Sequence, residues 1–527
     1  MTESVRKEWV RRTVAALRSE GSRRFIEFLQ GQRWFGGKAS ALVGIEIVDA
    51  IALSEGTERR LLVLVSTQSP GRMEEWYAVL LVIRPLRQTG DANALMPFPT
   101  SDEWICDATL DPAIWIGLYQ DVAHGRERQG ESGCVRGHSF QDVRERWAEQ
   151  VEEVTVLSGE QTNTSVVFDR RVIFKLLRKV ERGIHPDGEM LHFLTMETAY
   201  PYVPPLLGLV TYSNLEGREA EEATLGVLQR FVPGSVDGWK YTLAHLDGLL
   251  VEAPTLLNDG RSVAQAVAEI AQSFFGEIRR LGEVTGELHL ALASRQEPEA
   301  FRPEPVTTGD VHRWQSKMMN HLDVVFGQLR AHYRSELSAA GLTDEELAGW
   351  QTNCQGRFAD LLFLAQAGAS KIRVHGDYHL GQVLKTDEGF LVIDFEGEPA
   401  RTLDERRAKL CPLKDVGGML RSFSYAAHSV LRARRRESTV MDTDVMIAWQ
   451  KATRDAFLEG YRATIQRGLA IFLPASWDQS LRIISVYELD KALYEVEYEM
   501  HNRPDWLAIP LSGIRLLFAG TAIKAST

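Results

Sequence analysis

Residues 374–384, VHGDYHLGQVL, set two histidines, an aspartate and a glutamine among apolar β-formers, and a second aspartate follows in IDFEGEP. Asp377 and Gln382 lie five residues apart, and Asp394 ends the next β-run. One carboxylate near a strand end, an amide oxygen beyond it and a second carboxylate across a turn make a convergent oxygen cluster. Such a cluster suits magnesium, a hard cation that takes oxygen ligands and shares its shell with phosphates. Phosphoryl transfer asks for those parts and also for a cation to anchor the α- and β-phosphates. Lys175, on the β-run VIFKLLR, meets that demand, with Glu189 early in the following helix as the carboxylate that would hold it.

These residues need elements to carry them. The first third of the chain contains short β-runs such as LVGIEIVDAIAL, RRLLVLVS and WYAVLLVIRPL, separated by turn residues, which predict an antiparallel sheet behind a helix near 5–30. The glycine-rich HGRERQGESGCVRG reads as a loop before a helix at 140–150. From 151 the pattern restarts with two β-runs joined by a polar loop, the strand that carries Lys175, a helix after Pro186-Asp187, and a strand ending at Pro233-Gly234. Beyond 237 the periodicity is helical except at 371–396, where KIRVHGD and FLVIDFE flank KTDEG like a hairpin. The stretch 295–310, rich in Pro, Glu and Thr, is the candidate linker. Domains are therefore expected at 1–148, 149–236 and 237–527.

A chain of 527 residues is long enough for several domains and a deep cleft. No run approaches the roughly 18 apolar residues of a membrane span, and the start has no apolar signal region, so a cytoplasmic protein is expected. Cys106, Cys134, Cys354 and Cys411 lie far apart without a CxxC pair and read as reduced thiols. A net charge of −12 makes nucleic acid an unsuitable partner, and LRARRR at 431–436 reads as a solvated helix face.

Lys175, Glu189, the hinge-like VLQRFVPG, HGDYHLGQ and DFEGEP together resemble the aminoglycoside-phosphotransferase-like branch of the protein-kinase-like superfamily. A narrower resemblance, to bacterial maltokinases, spans nearly the whole chain through QRWFGGK (32–38), GEQTNTSVVF (159–168), GDYHLGQVL (376–384), the segment 392–427 and LDKALYEVEYEMHNRPDWLAIPL (489–511). The resemblance implies an α+β, bilobal protein-kinase-like fold with an extra N-terminal α/β cap domain. It implies Asp377 as catalytic base, Gln382 and Asp394 as magnesium ligands, Lys175 as phosphate anchor and the backbone near Gln229 and Phe231 as the adenine site. ATP and Mg2+ are the expected cofactors. The implied reaction phosphorylates the anomeric hydroxyl of maltose to maltose 1-phosphate, which would feed α-glucan synthesis, with association with trehalose synthase as a further expectation. The sequence departs from better-known kinases in two places. Its phosphate loop has one glycine, Gly159, leaving backbone amides and the hydroxyls of Thr164 and Ser165 to cradle phosphate, and Gln382 stands where many kinases have asparagine.

For the acceptor, Tyr487, Lys491, Tyr494 and Tyr498 recur at spacings that put them on one helix face. Tyrosines on a helix face ordinarily pack a core, but a lysine among them must be paired or lose its charge, and rings interrupted by hydrogen-bonding groups suit a sugar. The resemblance favours Lys491, Tyr494 and Tyr498 as sugar contacts, and His379 and Glu396 join them. The helix should end at HNRP with Asn502 as a left-handed cap, leaving Arg503 to reach the cleft or to satisfy terminal carbonyls. His375 and His379 could instead be zinc ligands of a hydrolase, but Gly376 argues against the helix that i, i+4 ligation needs; His375 is expected to brace the loop. Trp34 and Phe35 are expected to pack the first domain, with Lys38 near phosphate only if that domain covers the nucleotide. The segment 405–415 is expected to line a cleft. A kinase for glucosamine or another hexose, or a silent binding module, are the alternatives.

Overall fold

The computed structural model describes residues 3–19, 22–36, 42–54, 59–71, 73–85, 93–99, 101–140, 150–157, 162–214, 222–434 and 439–522. Gly159, Lys38 and nearly all of the expected helix at 140–150 lie outside them. The chain divides into two compact units, one of residues 1–195 with 204–233, the other of 196–203 with 234–527.

The first unit holds two antiparallel sheets. Strands β1 (Gly44–Ala52), β2 (Arg59–Gln68), β3 (Glu75–Pro85), β4 (Ala94–Pro97) and β5 (Glu103–Asp107) assemble in the order β1-β2-β3-β5-β4. The single helix expected near 5–30 is two, Glu3–Arg18 and Ser22–Gly31. The runs of β2 and β3 are apolar without alternation because both faces are covered. Leu61, Val63 and Val65 pack with Leu17, Phe25 and Leu29 of those helices. Leu62 and Leu64 point the other way, into a second core with Trp115, Leu118 and Val122 of the helix Pro112–His124.

The second sheet contains β6 (Glu127–Gln129), β7 (Gly133–Ser139), β8 (Val154–Val156), β9 (Thr164–Phe168), β10 (Val172–Leu176), β12 (Leu206–Asn214) and β13 (Glu222–Arg230), in the order β6-β7-β12-β13-β10-β9-β8. The glycine-rich segment read as a loop is thus the β6–β7 hairpin. Its glycines serve close approach: a Cβ on Gly137 would lie 2.3 Å from the Asp121 carbonyl oxygen of the helix beneath. The two-residue β11 (Lys179–Val180) follows β10 almost without interval, yet pairs with β3 of the first sheet.

The second unit is mostly helical. Its long helices include Gly238–Asn258, Gln272–Leu292, Thr308–His332, Leu413–Ala433, Val440–Arg467 and Trp477–Asn502. Strands β14 (Val236–Asp237), β17 (Val383–Thr386) and β18 (Gly389–Val392) form one small sheet, and β15 (Glu304–Pro305) pairs with β16 (Ser370–Lys371). The expected hairpin exists, but its first strand is Val383–Thr386 and not KIRVHGD. That earlier run is diverted: Ile372 exchanges backbone hydrogen bonds with Leu410, and Gly376 turns the chain at φ +86°, where an L side chain is strained. The stretch 295–310 is not a linker between units; it lies within the second, with Phe301 and Asp310 buried. All four cysteines are buried and unbridged. Among the described residues no helix is long and apolar enough to cross a membrane.

Candidate active site

In the second unit the loop after β16 is held from behind by one carboxylate. Asp415, in the first turn of the helix Leu413–Ala433, accepts the backbone N–H of His375 at 2.8 Å and of Gly376 at 2.9 Å. A helix N-terminus favours an anion there. Burial works to raise the Asp415 carboxyl, but the hydrogen bond and charge of His289 and the backbone donors hold it below its ordinary value. His289 Nε2 lies 3.3 Å from Asp415, and its Nδ1 lies 3.0 Å from the Tyr461 hydroxyl. The His375 ring is buried, with Nε2 3.0 Å from the Ile393 carbonyl. Through this contact it braces the loop, as expected.

Asp377 emerges from this support. Its Oδ1 accepts a hydrogen bond from Lys491 Nζ at 2.7 Å, and His379 Nε2 lies 3.8 Å from Oδ2. Burial opposes ionisation, but the Lys491 and His379 charges hold Asp377 well below the usual carboxylate range. Burial likewise pulls the Lys491 amine down and is outweighed by Asp377 and Glu398, which push it above its ordinary value. Both groups are therefore ionised at neutral pH. His379 also accepts the Gly381 N–H through Nδ1 at 3.0 Å.

Asp377 and Lys491 border a recess that opens to solvent. Tyr487 and Tyr494 line it, and the Lys491 amine lies 4.5 Å from the centre of the Tyr494 ring. Charged and titratable side chains add to the lining, Glu398, Arg401, Lys414, Asp490 and His321, none of them a site residue expected from the sequence. Glu398 is 3.0 Å from Arg401 Nε and 3.4 Å from Lys414 Nζ. Asp490 is raised above its ordinary value, first by burial and then by Glu398, against the pull of Lys414. Glu398 belongs to DFEGEP and Asp490 precedes Lys491, so motif adjacency was the available signal for both. The segment 405–415, expected to line a cleft, divides: Lys414 reaches the recess, Asp415 lies beneath the loop, and Lys409 pairs with Glu304 at 2.6 Å.

Tyr498 does not line the recess; it is 45% exposed, with the Arg503 guanidinium 5.6 Å from its ring centre. Arg503 neither reaches the recess nor caps carbonyls: it grips the Glu499 carboxylate at 2.7 and 3.0 Å. Asn502 is no left-handed cap either; it remains helical, and its side-chain amide donates to the Tyr498 carbonyl at 2.8 Å. Glu396 does not line the recess, and its carbonyl accepts from Arg406 at 3.1 Å. The Ile393 N–H donates to the Gln382 carbonyl at 3.0 Å, which joins the backbone next to Asp394 to that of Gln382. Asp394 has φ +65°, a strained conformation for a non-glycine residue, of the kind that concentrates at functional positions. A carboxylate and an amide offer hard oxygens, so this pair fits magnesium chemically.

In the first unit, Lys175 Nζ lies 3.7 Å from Oδ2 of Asp187, in the first turn of the helix Pro186–His192 that also bears Glu189. Asp187 thus joins Glu189 as a candidate partner. Ser165 is wholly buried and sits opposite Lys175 in the ladder, while the Thr164 hydroxyl accepts a hydrogen bond from Arg178 at 2.8 Å. Neither hydroxyl is presented as the phosphate-cradle reading expected. Gln229 lies within β13, paired opposite Ile173, and the Phe231 N–H donates to the Arg171 carbonyl at 2.8 Å. Trp34 and Phe35 are buried against Tyr77, as expected for packing of the first domain.

Comparison with known proteins agrees with this architecture. Residues 28–111 match the family model described as the maltokinase N-terminal cap domain. The chain is 26% identical over 419 residues to a glucosamine kinase of Streptacidiphilus jiangxiensis, covering 76% of this chain and 85% of that protein. It is 24% identical over 372 residues to a glucosamine kinase of Mycolicibacterium smegmatis, covering 69% and 80%. A solved glucosamine kinase, in complex with glucosamine, ADP and inorganic phosphate, superposes with a TM-score of 0.61 at 23% identity, over 90% of this chain and 95% of that one. The fold is the α+β, bilobal protein-kinase-like fold with an N-terminal cap domain. The protein is a phosphotransferase of that class.

Proposed function

We propose that the protein transfers the γ-phosphoryl group of ATP to the anomeric hydroxyl of maltose, giving maltose 1-phosphate and ADP. The observation that carries this reading is the Asp377–Lys491 contact of 2.7 Å at the border of a recess lined by tyrosines and charged hydrogen-bonding groups. Asp377 would accept the hydrogen bond of the attacking hydroxyl and take its proton as oxygen bonds to phosphorus and the bond to the ADP oxygen breaks. Because phosphoryl transfer passes through a loose transition state with little covalent demand on the protein, orientation counts for more than basicity, and a carboxylate of low pKa serves. Lys491 would donate to a neighbouring sugar oxygen, and Lys175 would anchor the nucleotide phosphates. Asp394 and Gln382 would hold magnesium, which supplies charge neutralisation at the phosphates.

A neutral acceptor is supported by charge balance. Asp377, Glu398 and Asp490 are matched by Arg401, Lys414 and Lys491. The cap-domain match favours maltose. A second reading, glucosamine as acceptor, is favoured by the names of the similar proteins and by the carboxylates available to an ammonium. The test is phosphate transfer from ATP–magnesium to maltose, glucose, glucosamine and trehalose, with the phosphorylated position read by phosphorus–proton NMR. Phosphate on C1 of maltose is the expected result; transfer to glucosamine alone would replace the acceptor, and no transfer to any sugar would overturn the reading.

A further inference from the structure

The chain leaves the Lys175 strand in an unusual way. β10 ends at Leu176 in the second sheet, and β11 begins at Lys179 in the first sheet, so only Leu177 and Arg178 separate two sheets. Both residues are fixed by backbone bonds: Leu177 N–H donates to Leu225 at 2.9 Å, and the Arg178 carbonyl accepts from Ala78 N–H at 2.8 Å. Two residues bonded on both sides leave little backbone freedom between the sheets.

The Arg178 side chain fills this junction and is wholly buried. Its Nε donates to the Thr164 hydroxyl at 2.8 Å, one terminal nitrogen to the Ala78 carbonyl at 3.1 Å and the other to the Thr109 hydroxyl at 3.0 Å. The guanidinium lies 5.0 Å from the centre of the Trp34 ring, in the QRWFGGK motif. Every one of these partners is neutral. Burial lowers the guanidinium to about 10, with the more distant Asp107 opposing, so it stays charged at neutral pH. Burying a charge against neutral partners is a costly way to fill a core, and an apolar side chain of similar volume would serve packing alone as well or better. What the planar fork adds is direction: it ties the start of β9 and the end of β10 to β3, to the turn before the helix Pro112–His124 and to Trp34.

We propose that Arg178 is a positioning residue for the nucleotide, which with Trp34 fixes the strand end that presents Lys175 and so makes the cap sheet part of the phosphate-binding apparatus. This rests on the reading of Lys175 as phosphate anchor. It also gives QRWFGGK a role that its sequence did not reveal: Trp34 and Phe35 pack on Tyr77, whose strand receives β11 at Lys179, and Trp34 seats the guanidinium.

The test uses the full chain with Arg178→Met, Lys175→Met and the double variant, measuring melting temperature, ATP–magnesium affinity by calorimetry and steady-state kinetics for both substrates. Displacing a positioned group by about 1 Å costs on the order of 100-fold, so Arg178→Met should weaken ATP use by about 10- to 100-fold. The acceptor KM should not move. The double variant should be no worse than the poorer single one, because Arg178 acts through Lys175. Wild-type ATP affinity and turnover in folded Arg178→Met, with Lys175→Met impaired, would overturn the inference alone. Unchanged ATP affinity in Lys175→Met would overturn the reading of Lys175 and the inference with it. Additive losses that raise both KM values would reduce Arg178 to a structural residue. Should Arg178→Met fail to fold, Arg178→Lys carries the same measurements, because it keeps the charge over Trp34 but loses the fork.

Discussion

Two lysine–aspartate pairs, one in each unit, use the same side chains differently. In the second unit Lys491 and Asp377 are 2.7 Å apart, a charge-assisted hydrogen bond that sets the protonation of the carboxylate. In the first unit Lys175 and Asp187 are 3.7 Å apart, close enough for attraction but too far for a hydrogen bond between those atoms. The short pair fixes the charge and direction of the group proposed to meet the acceptor hydroxyl. The long pair is a Coulombic contact, which fits the phosphate-anchor role proposed for Lys175.

The comparison breaks first at Asp377. Asp377→Asn keeps the shape but loses the proton acceptor, and turnover should fall by about 10²- to 10⁴-fold, the range of general-base losses. ATP affinity should stay within about threefold, since the residue is not assigned to the nucleotide; calorimetry and initial rates check both. Loss of ATP binding along with turnover would sink the assignment.

Lys491→Met tests whether the short pair sets protonation. Wild-type Asp377 lies below the usual carboxylate range, so its loss of activity on acidification should fall below about pH 4. Without Lys491, burial is opposed by less charge and the acid limb of the kcat profile should move upward. The stability sign agrees: a depressed folded pKa contributes above the unfolded value and is lost as pH falls through the folded one. Removing one partner of a buried pair costs about 3 kcal/mol at the low end of its range, and partial exposure here keeps it there or below. An unmoved acid limb would show that the pair does not govern the carboxylate. On the long pair, Asp187→Asn should raise the KM for ATP by a smaller factor, about threefold to tenfold, because the 3.7 Å contact, though buried, is too long to be a hydrogen bond. Steady-state kinetics varying ATP and the sugar in turn would separate it from the Asp377 effect.

What was legible in the sequence followed the range of the interaction that makes each residue matter. Asp377, Gln382 and Asp394 stand within one short stretch, and a backbone bond joins Gln382 to Ile393, the neighbour of Asp394. Lys491 was legible as a charge in a tyrosine stripe that demanded a partner, though not as the partner of Asp377, which is 114 residues away. Asp415 was missed because its work is done on the backbone of a distant loop, and no side-chain spacing records that. Arg178 was missed because an arginine beside a lysine in a strand reads as surface, and only the crossing between two sheets buries it. The β6–β7 hairpin was read as a loop because its glycines look flexible, whereas Gly137 is there to let the strand approach a helix.

A pair of tyrosines sharpens the acceptor side. Tyr494 and Tyr498 look equivalent in sequence, one turn apart on the same helix face. The structure separates them: Tyr494 lines the recess under the Lys491 amine, while Tyr498 is 45% exposed beside Arg503. If the recess is the acceptor site, Tyr494→Ala should raise the KM for the sugar by about tenfold, the value of one aromatic contact with its cation. Tyr498→Ala should change it by less than about threefold, since little of its ring is withdrawn from water to begin with. Initial rates against sugar concentration decide the matter. Equal losses would mean that bound sugar extends along the helix to Tyr498, beyond the recess that encloses Asp377.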